Sequence, residues 1–216
     1  QNTIDKIAAG EVVERPSSVV KELVENAIDA GATAVTVEIK NGGIKYIRIT
    51  DNGCGIAYED VPTAFLRHAT SKVRYEYDLD SIGTLGFRGE ALASVSAVAR
   101  VEMLTKTPDS QFGTRIELAG GEQISLSEAG CPDGTTIVVR DLFYNVPARL
   151  KFLKRDISEA GAVSGIVDKI ALSNPRISIK FIKEGKVELH TPGDGNVLSA
   201  VYAVFGKEFA RTLMPV

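Results

Sequence analysis

The stretch "VVKELVENAIDAGATAVTVEIKNGGIKYIRITDNGCGI", Val19–Ile56, passes from one hydrophobic period to another, and that passage decides the fold. Val19, Val20, Leu23, Val24, Ala27 and Ile28 fall on one side of a helix that turns about 100° per residue. From Val35 the period becomes two: Val35, Val37 and Ile39 alternate with polar residues, as do Ile47 and Ile49 with Arg48 and Thr50. Asn41, Gly42 and Gly43 between the two runs are a hairpin signal. A helix with one apolar face is therefore followed by an antiparallel pair with one apolar face. Pro16 suits the first helical turn, Ser17 and Ser18 are expected to cap it, and Gly31 to end it.

Carried onward, the period of two places Asp51 on the core side of its strand. A carboxylate held toward an apolar interior is costly unless it accepts good hydrogen bonds, so Asp51 should meet a specific donor, in the protein or on a ligand. Gly53 and Gly55 follow at once and permit a tight turn and close backbone approach to something bound. An ordinary Asp-Asn-Gly turn leaving a strand accounts for these residues equally well. Cys54, inside the motif, is expected to be a small packing residue. The helix poses a second question, because its polar side holds Glu22, Glu25, Asn26 and Asp29 with Lys21 as its one positive charge.

Outward from this unit, "TSKVRYEYDLDSIGTLGFRGEALAS", residues 70–94, is a polar connector with Gly83, Gly86 and Gly89 at three-residue spacing, running into a helical pattern at Leu92, Val95 and Val98. Glycines leading into a helix N-terminus expose backbone amides and the positive end of the helix dipole, which suits a phosphate chain. The spacing departs from both the Walker loop and the Rossmann fingerprint, and no strand runs directly into it. "FGTRIEL", "EQISLSE" and "TTIVVRD" read as strands of an antiparallel meander, with "CPDG" as the turn before Thr135. Residues 156–173 form another helix, and "ISIKFIK" and "KVELHT" a second hairpin. The expected fold class is α+β: a two-layer sandwich with helices on one face of a mixed, mostly antiparallel sheet.

Composition fits that reading. With 216 residues, 44% hydrophobic and 25% charged, the chain can bury a full core. No run reaches the roughly 20 apolar residues of a membrane span and no leader pattern is visible, so the expected compartment is the cytoplasm. Cys54 and Cys131 are too few for a disulfide framework, and His68 and His190 lack partners at metal spacing. A net charge of -3 argues against a bulk polyanion-binding surface, yet "ARLKFLKR" gathers Arg149, Lys151, Lys154 and Arg155.

Taken in order, Glu22 and Asn26 on a helix, Asp51, Gly53 and Gly55 after a strand, a glycine-rich lid, and Gly134-Thr135 before a late strand resemble the GHKL (Bergerat-type) ATPases. That superfamily spans gyrase B, Hsp90, histidine kinases and the MutL mismatch-repair proteins. "IAAGEVVERP", "DNGCGI", "RHATSK", "GFRGEALAS" and "DLFYN" are similar to the mismatch-repair branch, and the likeness covers almost the whole chain.

The resemblance implies ATP and Mg²⁺ as cofactors, with Glu22 as the general base that polarises the attacking water and Asn26 as a Mg²⁺ ligand. Four residues apart, the two project from one side of the helix. It implies that Asp51 accepts a hydrogen bond from the adenine amino group and that Thr135 joins that network. The lid is expected to wrap the triphosphate through Thr70, Gly86, Phe87, Arg88, Gly89, Glu90, Ala91 and Leu92. Glu25 is expected to be solvated or paired with a cation, while Asp29 is open to a supporting role.

For the whole protein it implies a slow ATPase switch in DNA mismatch repair, coupling recognition by MutS to a downstream nuclease and helicase through ATP-dependent homodimerisation, in a bacterial cytoplasm beside the nucleoid. A non-catalytic nucleotide-sensing scaffold and a gyrase B-like ATP domain are the alternatives. The basic cluster Arg149, Lys151, Lys154 and Arg155 either contacts a DNA backbone without sequence preference or is a solvated face. Residues 1–195 are expected to form the ATPase domain and residues 196–216 to begin a second, transducer domain. Because the family draws a phosphate-contacting lysine from that second domain, the chain alone is expected to hydrolyse ATP weakly.

Overall fold

A computed structural model describes residues 13–66 and 90–212 of the chain. Of the positions singled out above, Thr70, Gly83, Gly86, Phe87, Arg88 and Gly89, with His68, lie outside the described residues. Helix α1 (Pro16–Asp29) leads to strands β1 (Ala34–Lys40) and β2 (Tyr46–Asp51), joined by a 3-10 turn at Asn41–Gly43. Helix α2 (Ala91–Val98) precedes β3 (Arg100–Lys106), β4 (Gly113–Ala119), β5 (Glu122–Ala129) and β6 (Gly134–Arg140). Then come α3 (Pro147–Phe152), α4 (Asp156–Ser173), β7 (Ser178–Lys183), β8 (Lys186–His190) and α5 (Val197–Thr212).

Among the described residues, eight strands form one sheet in the order β5-β4-β3-β6-β2-β1-β7-β8. Among the described residues every neighbouring pair is antiparallel except β1 with β7. Strand parity and register together build the core. Leu126, Ile116, Met103, Ile137, Ile49, Val37, Phe181 and Leu189 stand partner to partner across the whole sheet. All are buried except the half-buried Leu126. Helix α1 covers this face over β1 and β2, α2 over β3 and β4, and α4 over β7, with α1 and α4 also packed on each other.

The other face is polar. Arg48 pairs with Glu38 at 2.6 Å, and Arg115 and Arg140 both reach Glu102, at 2.8 and 3.0 Å. Burial alone would raise the Glu102 pKa; the hydrogen bonds and charges of Arg140 and Arg115 outweigh it and hold the carboxyl below its ordinary value. One face dry and one charged is the two-layer sandwich that the alternation predicts.

Three local expectations change. Neither Ser17 nor Ser18 caps α1: the N-cap is Arg15, in extended backbone without a side-chain cap bond. The helix start lies against α4, where the Arg15 guanidinium donates to the Glu159 carboxylate at 3.0–3.2 Å. Glu159 is only 1% exposed and also accepts the Lys154 backbone N–H at 2.9 Å, so the ion pair docks the start of α1 on α4 while no side chain caps the helix. Cys54 is exposed rather than packed, because the turn carrying it faces outward. The expected meander of "FGTRIEL", "EQISLSE" and "TTIVVRD" is broken: β3, unassigned above, inserts between β4 and β6, so β5 lies at the sheet edge and β6 pairs with β3 and β2. Gly31 does end α1, at φ +75° with its N–H on the Ile28 carbonyl. No helix among the described residues is long and apolar enough to cross a membrane.

Candidate functional site

The core face turns polar one row beyond Ile49. Asp51 of β2 stands between Val35 of β1 and Thr135 of β6, and the row continues through Thr105 of β3 to Thr114 of β4. Asp51 Oδ1 accepts the Gly53 N–H at 2.8 Å and the Thr135 N–H at 3.3 Å. Oδ2 accepts no hydrogen bond from the described residues. Burial pushes the Asp51 pKa up, and the two backbone N–H bonds only partly oppose it. Beside it, the Thr105 hydroxyl lies 2.9 Å from the Thr135 hydroxyl.

The turn after Asp51 is strapped at both ends. Asn52 Oδ1 accepts the Thr33 and Ala34 N–H groups at 2.9 Å each, tying the end of β2 to the start of β1. The Cys54 N–H donates to Ala30 at the C-terminal end of α1 at 3.0 Å, and the Ile56 N–H donates to the Thr105 hydroxyl at 2.9 Å. Between them Gly55 takes φ +68°, and a Cβ there would run into the Lys106 carbonyl oxygen. Gly134 takes φ +103°, and a Cβ there would run into the Asp51 carbonyl oxygen. Glycine before Thr135 is thus what lets β6 close on β2. Asn52 and Thr105 are the residues that sequence reasoning missed, since both act through partners remote in the chain.

On α1, Glu22 and Asn26 lie about two turns and one turn before Ala30, whose N–H bonds the Asn26 carbonyl at 3.0 Å. The Asn26 side-chain amide makes no hydrogen bond with the described residues, and Glu22 keeps 29% of its side chain exposed. Lys21 reaches both carboxylates of the polar side, Glu25 at 3.0 Å and Glu22 at 3.6 Å. Burial would lower the Lys21 pKa, but the bonds and charges of Glu25 and Glu22 raise it. Glu25 is therefore the paired residue that its place on the helix predicts, although at 12% exposure it is less open than Glu22. Farther along the chain Glu90 is the N-cap residue of α2, followed by the half-buried Ala91 and Leu92.

The basic cluster is not one patch of equivalent charges. Arg149 donates to the Val13 carbonyl at 2.8 Å and lies 5.8 Å over the Phe143 ring. Lys151, Lys154 and Arg155 are exposed.

Residues 14–120 match the family described as histidine kinase-, DNA gyrase B- and HSP90-like ATPase. The DNA mismatch repair protein MutL of Agathobacter rectalis is 61% identical over the full 216 residues, and that of Caldanaerobacter subterraneus subsp. tengcongensis 52% over 214. The chain spans 33% and 36% of those two proteins. Among solved structures, the Aquifex aeolicus MutL ATPase domain complexed with ADP is 34% identical with a TM-score of 0.74, over 90% of this chain and 70% of that one. A match of that extent to a solved ATPase domain, joined to identity above one half along the whole chain, shows that the chain belongs to the MutL family of DNA mismatch repair proteins, in its GHKL-type ATPase region.

Proposed function

We propose that the chain binds ATP at the site around Asp51 and works as a slow, Mg²⁺-dependent ATPase switch. The observation that carries this reading is the Asp51 carboxylate: partly buried, with one oxygen taken by two backbone N–H groups and the other accepting nothing from the described residues. A buried acceptor of that kind matches an exocyclic amino group, which adenine has. The solved Aquifex aeolicus relative is described with ADP, which supports a nucleotide in this family.

The residues present also fit the metal. Asn26 offers a neutral amide oxygen, which a hard cation accepts without further negative charge beside the phosphates. Bound Mg²⁺ supplies neutralisation of phosphate charge. Glu22, one helical turn earlier and partly exposed, takes the proton of the attacking water. Asp51 and Thr135 orient the base. Backbone amides of Gly86, Phe87, Arg88, Gly89, Glu90, Ala91 and Leu92, with Thr70, hold the phosphate chain.

In the whole protein this switch couples recognition by MutS to the downstream nuclease and helicase, two copies joining when ATP is bound and DNA running over Lys151, Lys154 and Arg155. Residues 1–195 form the ATPase domain and residues 196–216 begin another. Val197, Leu198, Tyr202, Phe205 and Phe209 of α5, each about half exposed, support that division, because so many apolar side chains on one helix call for a further packing partner. Single-turnover hydrolysis tests the catalytic assignment: Glu22→Ala should bind ATP and lose turnover, and a rate equal to the parent's would remove Glu22 as the base.

A further inference from the structure

Thr105 is fully buried, on the core face of β3, and its hydroxyl sits among three polar neighbours. The Ile56 N–H points at it from 2.9 Å, the Gly134 carbonyl lies 3.1 Å away, and the Thr135 hydroxyl 2.9 Å away. A threonine hydroxyl has one proton and two lone pairs. The Ile56 N–H occupies one lone pair. The Gly134 carbonyl has no proton to give, so that contact takes the Thr105 proton. What remains is one lone pair, and it faces the Thr135 hydroxyl. Only one assignment satisfies all three contacts: Thr105 donates to Gly134, accepts from Ile56, and accepts from Thr135. In the reverse assignment Thr105 spends its proton on Thr135 and leaves the Gly134 contact without a hydrogen. At a buried position that loss is costly.

The consequence reaches the site. With its proton committed to Thr105, the Thr135 hydroxyl has only lone pairs to offer elsewhere, and its neighbour in the row, Asp51, is a carboxylate that also only accepts. We infer that Thr105 is a positioning residue that fixes the polarity of Thr135, so that Thr135 and Asp51 together present acceptors alone and select a base that carries an amino group over one that carries a carbonyl in its place. Thr105 does not touch the ligand itself. It also anchors the loop after Asp51 through Ile56, which keeps both acceptors in register. The inference rests on the reading that Asp51 and Thr135 receive the base of a nucleotide.

The test measures Kd for ATP and for inosine triphosphate, whose base replaces the amino group by a carbonyl, on the full-length protein. Thr105→Val is close to isosteric and removes the hydroxyl, freeing the Thr135 proton to turn toward the ligand. The preference for ATP over inosine triphosphate should fall about tenfold in Thr105→Val and stay at the parental value in Thr105→Ser, which keeps the hydroxyl. A merely structural role would weaken both nucleotides alike and leave the ratio where it was. That result, or an equal fall in the serine variant, overturns the inference. If the valine variant does not fold, Thr105→Cys, a weak donor and acceptor, is judged by the same ratio. Asp51→Ala separates the two levels: ATP affinity that survives this change sinks the nucleotide reading itself, whereas its loss beside an unchanged ratio in Thr105→Val sinks only the role of Thr105.

Discussion

Asp51 and Thr135 stand opposite each other on β2 and β6, and the Thr135 backbone N–H reaches Asp51 Oδ1 at 3.3 Å while the Gly53 N–H reaches the same atom at 2.8 Å. The carboxylate is thus aimed by backbone alone, from a strand partner and from its own turn. Aiming by backbone leaves Asp51 Oδ2 without a partner among the described residues, and it fixes the carboxylate to a sheet rather than to a loop.

Removing that carboxylate should cost binding far more than folding. A hydrogen bond to a charged acceptor contributes about 1.5–3 kcal/mol, so Asp51→Ala should weaken ATP roughly 10- to 100-fold in calorimetric titration. Stability should move the other way. Burial raises the Asp51 pKa in the folded state above its ordinary 3.8, so the folded chain holds that proton more tightly than the unfolded chain does. The stability this confers is fully present below pH 3.8 and is lost as pH rises through the folded pKa; at neutral pH the buried charge is a penalty. Asp51→Asn should therefore raise Tm at pH 7 and bring no gain near pH 3. A lower Tm at pH 7 would mean that the backbone N–H bonds outweigh burial.

Gly134→Ala tests whether the site depends on how closely β6 approaches β2. Alanine at φ +103° is strained, and its Cβ would collide with the Asp51 carbonyl oxygen and come within 2.8 Å of Asn52 Cα. Both partners are backbone and cannot turn aside. Chemical denaturation should show a loss of about 2 kcal/mol or more, accompanied by weaker ATP binding. A loss below about 0.5 kcal/mol would show that the strands separate without cost.

Much of this arrangement is legible in the sequence, for a physical reason: α1, the β1–β2 pair and α4 each show their own period, and parity alone carries Asp51 to the core face. Strand β3 is harder to read because it leaves α2 with only Ala99 between, without glycine or proline to mark the change, and its buried end is Thr105 rather than an apolar residue. The roles of Asn52 and Thr105 belong to the assembled sheet, since their partners lie 18 to 49 residues away. The cap at Ser17 fails because Pro16 is the first helical residue, which places Ser17 and Ser18 inside the first turn and leaves the N-cap position to Arg15.

Glu22 and Glu25 make a controlled comparison on one helix, because Lys21 touches both. Glu25 spends its carboxylate on that lysine four positions back. Glu25→Ala should cost only about 0.3–0.5 kcal/mol in stability and leave turnover within about twofold of the parent. Steady-state phosphate release checks it. If Glu25→Ala instead stops turnover as fully as Glu22→Ala, the base cannot be assigned to Glu22.

The basic cluster should divide in two when it is tested on DNA. Arg149 is committed to the Val13 carbonyl and the Phe143 ring, whereas Lys151, Lys154 and Arg155 keep their charges in solvent. Phosphate contacts release counterions, so each lost contact reduces the slope of log affinity against log salt by about 0.9. Replacing the three exposed residues by alanine should weaken nonspecific DNA binding and flatten that slope by about 3. Arg149→Ala should lower Tm and leave the slope near its parental value, since its guanidinium holds the chain before α1 rather than a phosphate. A slope unchanged by the triple replacement would return Lys151, Lys154 and Arg155 to an ordinary solvated face.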